Sequence, residues 1–253
     1  MDEAVRADVS FHYRGSDGSY VISLPNYRPG TLFTQYYNGS YTDSTSWLAV
    51  YGTGNELRDG DTGRQDAQVE LKWPKGTLNP DEQLTYTSYG SWWDDPDVDG
   101  VASSGTQGTF AYGIPTEAGD VPTTGTASYT ARVIGNSDNA YPQGSLPTTD
   151  YINGLALLSF DFAAGTLEGE MQPAVCPWDC YSLGTYTFVE TVYSTGSTSF
   201  SGQFAIDGEV VPSWFEGVFN GPQAAEIMAR WHAPYMLDEG TGTMSGIWVG
   251  LKD

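Results

Sequence analysis

Apolar and polar residues alternate in eight short runs between residue 124 and the end of the chain, with Gly-containing turns between several of them. In the last run, for example, Ile247, Val249 and Leu251 would share one face of an extended chain. A period of two is typical of β-strands. Eight sequential antiparallel strands with one buried face can close into a barrel, and closure removes the exposed sheet edges. The pattern therefore predicts an eight-stranded antiparallel β-barrel over residues 124–253; a sandwich has the same periodicity and remains the alternative.

The first 115 residues also contain strand-like runs, with Gly, Asp, Asn and Pro clusters between them. The segment "PTEAGDVPTTG", residues 115–125, has two prolines and no apolar periodicity, which is typical of a domain boundary. We therefore expect an all-β chain, with a β-rich domain over residues 1–115 followed by the barrel domain over 124–253.

One helix-forming run interrupts the β pattern. It covers Gln223 to Ala229 and is entered through the Gly-Pro pair at 221–222, which suits the start of a helical turn. We expect a single short helical turn that lays Ala225, Ile227 and Met228 over one mouth of the barrel.

The charge of the chain excludes several classes of partner. Asp and Glu number 32 against 10 Lys and Arg, for a formal net charge of -22. Such a surface repels nucleic acid and anionic lipid. No apolar run approaches the roughly 18 residues of a membrane span. The N-terminal "MDEAVRADVS" is not a signal peptide, and we expect a mature chain whose targeting segment, and with it an N-terminal lipid anchor, has been removed.

The two cysteines, Cys176 and Cys180, stand in "VCPWDC". Zinc would need more ligands than this pair provides, and the spacing is one residue longer than a redox C-x-x-C motif. The sequence favours a structural disulfide across a proline turn, formed in an oxidising compartment.

The acidic stretch "DDPDVDG" places Asp95, Asp97 and Asp99 at alternate positions before a glycine. Oxygen ligands at this spacing are typical of a calcium loop. The twelfth position of such a loop would be Thr106, which lacks the carboxylate that an EF-hand uses. A cation site and a solvated acidic hairpin tip both remain open.

No catalytic signature stands out. The chain has no G-x-S-x-G, H-E-x-x-H or P-loop motif. The single "DTG" triplet at 61–63 lacks the second carboxylate of an aspartic protease. A glycosidase needs only two carboxylates, so the acid count does not exclude one. We expect a protein that is not an enzyme.

Several motifs together resemble one family. "FEGVFNGPQAAEI", residues 215–227, is similar to the G-x-F-x-GP-x-A-x-E motif near the end of the barrel domain of transferrin-binding protein B. "YTSYGSWW" and "GTFAYGIPTEAGDVPTTGTASYTARVIG" resemble the segment that links the handle domain of that family to its first barrel strand, and "LLSFDFAAGTLEGEM" and "STSFSGQF" resemble the next strands. The resemblance covers about residues 84–253. Relatives often have Gly-Gly after the motif Glu, whereas this chain has Met228 and Ala229.

The resemblance implies a single handle-plus-barrel lobe of a transferrin-binding-protein-like solute-binding lipoprotein. Such proteins stand on the outer surface of Gram-negative bacteria or are released from it, and they bind ligands without catalysis. It implies capture of haem, iron or another nutrient, or of a host protein, often for an outer-membrane receptor. Transferrin receptors of full length carry two such lobes, so transferrin is not the expected ligand here.

Haem capture would require an axial ligand, and the chain has two histidines. His232 lies beside Trp231 and Tyr235, which would supply an aromatic wall, and we prefer it to His12 in "SFHYRG". The alternative for each histidine is a hydrogen-bonded or solvated side chain.

A glycan-binding or host-protein-binding adhesin is the competing function. Trp92, Trp93 and Trp178 lie in predicted turns, where an exposed ring could stack on a sugar, although large aromatic residues usually pack under their own loops.

Overall fold

The structure, a computed structural model, describes residues 10–14, 19–23, 34–40, 46–53, 67–74, 84–94, 106–138, 151–176, 179–237 and 240–253. Its contacts separate two compact units, residues 1–73 with 90–108, and residues 74–89 with 109–253. The predicted domain limits, 1–115 and 124–253, remain predictions. Within the described residues, no helix is long and apolar enough to cross a membrane.

The N-terminal strands form two antiparallel or sheet-forming groups of their own. Six of the seven strands coincide with predicted runs, and only the third was not foreseen. A two-stranded sheet pairs β1 (Ser10–Arg14) with β2 (Ser19–Ser23). A five-stranded sheet has, in spatial order, β3 (Thr34–Ser40), β4 (Ser46–Thr53), β5 (Ala67–Pro74), β6 (Thr87–Asp94) and β7 (Thr106–Gly113).

The remaining strands confirm the predicted all-β fold with an eight-stranded antiparallel barrel. Two short strands, β11 (Tyr181–Ser182) and β14 (Glu209–Val210), pair at the side of the barrel and do not help to close it. The barrel is closed because the first of its strands pairs with both the second and the last. Its eight strands are β8 (Thr126–Ser137), β9 (Tyr151–Asp161), β10 (Thr166–Cys176), β12 (Tyr186–Val192), β13 (Ser199–Ile206), β15 (Trp214–Asn220), β16 (Glu226–Leu237) and β17 (Gly240–Lys252).

Aromatic rings fill the interior of the barrel. Inward positions recur at every second residue, and many of them carry Phe, Tyr or Trp, each of which buries roughly 150–250 Å² of surface. Phe188 stacks on Trp248 with ring centroids 5.1 Å apart, and Phe160 meets Phe219 edge-on at 4.9 Å. The interior is therefore a packed core. The largest fully buried side chains are Trp231, Trp248, Tyr129, Tyr186, Tyr235, Phe160, Phe162, Phe204, Phe215 and Phe219.

A second apolar cluster lies on the outer wall of the barrel. Strand β17 carries Ile247 and Val249 outward, while Met244 and Trp248 on the same strand belong to the interior core. The outward residues are buried because Leu84 packs on them from outside the barrel. We call this the outer apolar cluster; its members are Leu84, Ile134, Ile247 and Val249, with Tyr89, Ala111, Met228 and Leu251 partly buried against it.

The short helical turn near the end of the barrel is present, but its predicted extent was wrong. A 3-10 turn covers only Pro222–Ala224, and β16 begins at Glu226. Gln223 (φ 56°) and Ala224 (φ 54°) adopt left-handed backbone conformations, which L-residues avoid at a cost of about 1–2 kcal/mol each. A right-handed helix therefore cannot continue through them. Ala224 rather than Ala225 is buried at this end of the core, Ile227 enters the core from a strand, and Met228 points outward.

Side chains from distant parts of the chain hold this turn in place. The hydroxyl of Tyr129 donates a hydrogen bond to the carbonyl of Ala224 at 2.6 Å. The backbone N–H and side-chain amide of Gln223 both donate to the carboxylate of Asp120. These contacts offset the backbone strain, as strained residues require.

Glu226, the first residue after the turn, is a buried carboxylate with backbone partners. It accepts hydrogen bonds from the N–H groups of Thr85 (2.6 Å) and Tyr86 (3.0 Å). Nearby, the side-chain amide of Asn220 donates to the hydroxyl of Thr87 at 2.8 Å. The residues of the G-x-F-x-GP-x-A-x-E motif thus attach the segment 84–87 to the barrel.

Candidate functional site

Strand β16 separates the predicted haem residues onto two faces of the barrel wall. Trp231 and Tyr235 point inward and are almost fully buried, whereas His232 lies on the outer face and is partly exposed. His232 is the seventh residue of this twelve-residue strand, opposite Trp214 on β15 and Ser245 on β17. The structure therefore does not bring His232, Trp231 and Tyr235 together around one pocket, and it places His232 on the wall rather than at the barrel mouth.

The neighbours of His232 on the outer face are different residues. Its ring stacks beside that of Trp214, with centroids 6.3 Å apart and planes inclined by 24°. The guanidinium of Arg230 lies 5.4 Å from the centroid of the same indole and forms a 2.7 Å ion pair with Glu216. We call Trp214, Glu216, Arg230 and His232 the His232 ladder. It combines an imidazole, an aromatic face and a cation on two adjacent strands.

The protonation of His232 is set by its partial burial. Burial lowers the pKa of this imidazole from its ordinary value, and the negative charge of Asp138 opposes the shift. Asp138 is itself held by the backbone N–H and hydroxyl of Thr243, at 2.9 and 2.8 Å. His232 is therefore mainly neutral at pH 7, the form in which an imidazole can bind a metal.

Trp231 and Tyr235 have positions typical of core residues. The indole of Trp231 lies against Gly135, where a Cβ atom would come within 3.0 Å of its Cζ2, and its Nε1 has no hydrogen-bond partner in the structure. The hydroxyl of Tyr235 lies beside Gly242. Both rings fill space left by glycine on inward positions of the wall.

The other predicted ligand residues are less well placed by the structure. His12 lies in β1 opposite Val21; nothing further describes its side chain. Asp95, Asp97 and Asp99 lie outside the described residues, so the calcium loop remains a prediction. Within the described ranges, no group of three His, Cys, Asp or Glu residues is arranged to hold a metal ion.

The predicted disulfide between Cys176 and Cys180 is confirmed. The bond joins the end of β10 to the residue before β11, with Cα atoms 4.1 Å apart. The side-chain amide of Asn153, on β9, approaches Sγ of Cys180 at 3.9 Å. The bond closes a short loop at one edge of the barrel wall.

One of the tryptophans considered for sugar stacking is not available for it. Trp92 is buried within β6, and its indole lies against Gly108 on β7. The side chain of Trp93 and all of Trp178 lie outside the described residues.

Sequence reasoning missed Trp214 and Arg230 as neighbours of His232, and Glu226 as an anchor. The first two stand on β15 and β16 at positions facing outward together with His232, a relationship that depends on strand register. Glu226 could have been singled out because it is an isolated acid before the apolar pair Ile227 and Met228.

The fold defines an all-β protein with a closed antiparallel barrel lobe. No protein-family model matches the chain, and no curated protein matches it. Solved structures that are similar include a double mutant of transferrin binding protein B from Haemophilus parasuis, with 12% identity over 96% of this chain and 50% of that chain and a TM-score of 0.46. A single mutant of the same protein has 15% identity over 98% and 45%, with a TM-score of 0.46.

The intact Ap-TbpB structure, with N and C lobes, has 14% identity over 100% of this chain and 43% of that chain, with a TM-score of 0.45. These are structures of the family that the sequence motifs resemble. The chain spans half or less of their length, and nothing about its ligand follows from a similarity of this size.

Proposed function

We propose that this chain is a non-enzymatic ligand-capture protein, displayed on the surface of a Gram-negative bacterium or secreted from it. The linker, barrel and terminal motifs support this, together with the acidic charge and the disulfide, which needs an oxidising compartment. Because aromatic rings fill the barrel, the ligand would bind on its outside. A lipid anchor and an outer-membrane receptor that accepts the ligand belong to the same proposal.

Haem is the ligand that the His232 ladder suits best. A haem site needs an axial nitrogen, an aromatic or apolar wall and a cation for the propionates. His232 would supply a neutral imidazole, Trp214 the wall and Arg230 the cation. The observation that carries the proposal is the pairing of a partly buried imidazole with the indole beside it. Glu216 competes for the same guanidinium, so a propionate would have to displace it.

Absorbance titration of the full chain with haem tests this assignment. We expect a shifted Soret band that is lost in His232→Ala and retained in His12→Ala, the matched control since these are the two histidines of the chain. Trp214→Leu should weaken binding while keeping the axial ligand. An unchanged Soret band in His232→Ala would refute the assignment, and no Soret shift in the unmodified protein would remove haem altogether.

A glycan-binding or host-protein-binding adhesin remains the alternative, and a glycan array measured beside the haem titration separates the two. Calcium at Asp95, Asp97 and Asp99 is a further proposal. Isothermal titration with calcium chloride tests it, with Asp97→Asn and Asp99→Asn expected to abolish the heat signal.

A further inference from the structure

Strand β9 carries bare aliphatic side chains on the outer wall of the barrel. Leu155 and Leu157 are 44% and 45% exposed, although the residues between and beside them, Ala156 and Leu158, are buried in the core. Positions two apart on a strand share a face. Tyr151, 40% exposed, stands further along the same face. We call Tyr151, Leu155 and Leu157 the β9 stripe.

The same barrel shows what normally happens to outward apolar residues. On β17 and β8, next to β9 in the sheet, Ile247, Val249 and Ile134 also point outward, but Leu84 packs on them and they are buried. Leaving two adjacent leucines uncovered loses the favourable burial that their neighbours achieve, about 1.5–3 kcal/mol for each fully covered side chain. The β9 stripe is therefore the uncovered continuation of an apolar outer wall, and adjacent apolar groups of this kind mark interaction surfaces more often than isolated ones.

Carboxylates flank the leucines on both neighbouring strands. On the β10 side, Glu170 lies opposite Leu157 and Glu168 follows two residues away. On the β8 side, Thr130 lies opposite Leu157 and donates a hydrogen bond to the carboxylate of Asp253 at 3.0 Å. One cation, Arg132, lies opposite Leu155. Three carboxylates thus stand around the leucines against one guanidinium, on a chain whose net charge is -22.

We propose that the β9 stripe is a docking surface for a protein segment that presents aliphatic or aromatic side chains between lysines or arginines. Apolar contact with Leu155 and Leu157 supplies the centre of the interface, and Glu168, Glu170 and Asp253 select a basic partner at its rim. The same charge disfavours a second copy of this chain, because the flanking carboxylates of two copies would repel one another. This surface lies apart from the His232 ladder, which is on β15 and β16, and does not depend on haem capture.

Selection from a phage-displayed random peptide library tests both parts of the proposal. The bait is the full chain, and Leu155→Glu/Leu157→Glu serves as the counter-selection bait. We expect an enriched family with aliphatic or aromatic residues beside Lys or Arg. A synthetic consensus peptide should bind the double variant at least about tenfold more weakly by fluorescence anisotropy. Its affinity for the unmodified chain should fall with added salt, and less steeply for Glu168→Gln/Glu170→Gln.

Val210→Glu, which places the same charge at an exposed valine on β14, is the matched control and should bind like the unmodified chain. Near-ultraviolet circular dichroism, dominated by the buried tryptophans, shows whether each variant keeps its core. A library that enriches no family, or a consensus without basic residues, would overturn the proposal. So would self-association in sedimentation velocity that Leu157→Glu abolishes, because this result would assign the stripe to a second copy. The haem titration is unaffected by any of these outcomes.

Discussion

The ring of Phe215 lies directly over Gly202 on the neighbouring strand. The two residues face each other in the register of β13 and β15, and a Cβ atom on Gly202 would lie 2.5 Å from Cζ of Phe215. The same relationship recurs where Phe188 covers Gly169 and where Phe200 covers Gly217. An eight-stranded barrel has room for so many inward rings because glycine stands at the positions that they cover.

We therefore expect Gly202→Ala to destabilise the barrel by about 1–3 kcal/mol, the usual range for overpacking a filled core. Urea unfolding followed by tryptophan fluorescence measures the change. Gly119→Ala is the matched control, since Gly119 is exposed and a Cβ atom there would meet nothing within 4 Å. If both substitutions have the same small effect, the ring is not packed on the glycine as described.

Replacement of Glu226 by glutamine should loosen the segment that the carboxylate holds. One oxygen can still accept a hydrogen bond, but the new amide would direct a donor at the N–H of Thr85 or Tyr86. We expect a loss of about 2 kcal/mol, as for a broken hydrogen bond to a buried charge. Hydrogen exchange should show faster exchange at those two amides. Glu209→Gln, at an exposed hairpin position, should leave exchange there unchanged, and an unaltered rate in the Glu226 variant would contradict the anchoring role.

These two examples show what the sequence could and could not predict. The alternation of apolar residues was sufficient to predict all eight barrel strands, because the period of two is a local property of each run. It did not show that β17 has two apolar faces, one toward Trp248 and one toward Leu84, since Leu84 is far away in sequence.

The turn after Pro222 failed for a related reason. Gln, Ala, Glu and Met favour helix locally, but the contacts of Asp120 and Tyr129 hold Gln223 and Ala224 in left-handed conformations. The grouping of His232 with Trp231 assumed that neighbours in sequence share a site. On a strand, neighbours face opposite ways, and the true neighbour of His232 is Trp214, which is paired with it across the sheet.

The partial burial of His232 should make stability depend on pH in mildly acidic solution. Its folded pKa is lowered, so below the unfolded value of about 6.5 the unfolded chain binds more protons than the folded one. Stability due to this group is complete above about pH 6.5 and falls as the pH decreases toward the folded pKa. We expect the free energy of unfolding to decline less between pH 6.5 and 5 (about the span in which histidine titrates) in His232→Gln than in the unmodified chain.

Parallel urea titrations at several pH values measure this difference, with His12→Gln for comparison. The carboxylates titrate in every variant, so only the difference between the curves reports on His232. Curves that stay parallel for His232→Gln and the unmodified chain would show that the imidazole is equally solvated in both states.

The disulfide should contribute modestly to stability because the loop that it closes is short. Cys176 and Cys180 are separated by four positions, for which the chain-entropy relation gives about 2 kcal/mol. Intact mass under non-reducing conditions should be two hydrogen masses below the reduced value. The double variant Cys176→Ala/Cys180→Ala should fold, with a free energy of unfolding lower by no more than about 2 kcal/mol. Thiols that react with an alkylating reagent in the native protein would contradict the bond, and failure of the double variant to fold would show that the bond holds more than its own loop.

Two buried tyrosines should make the barrel sensitive to strongly alkaline solution. The hydroxyl of Tyr129 donates to the carbonyl of Ala224, and that of Tyr186 donates to the carbonyl of Pro234 at 2.9 Å. Burial raises the pKa of both phenols well above the ordinary value. The unfolded chain therefore loses these protons above about pH 10 while the folded chain retains them. Their contribution to stability is complete below that pH and is lost as the pH rises toward the folded pKa. Tyrosinate absorbance should show incomplete ionisation until the chain unfolds. Tyr129→Phe and Tyr186→Phe should each flatten the alkaline decline in stability, with the exposed Tyr181→Phe as the control. Full ionisation of every tyrosine before any loss of β-sheet circular dichroism would show that these phenols reach solvent in the folded barrel.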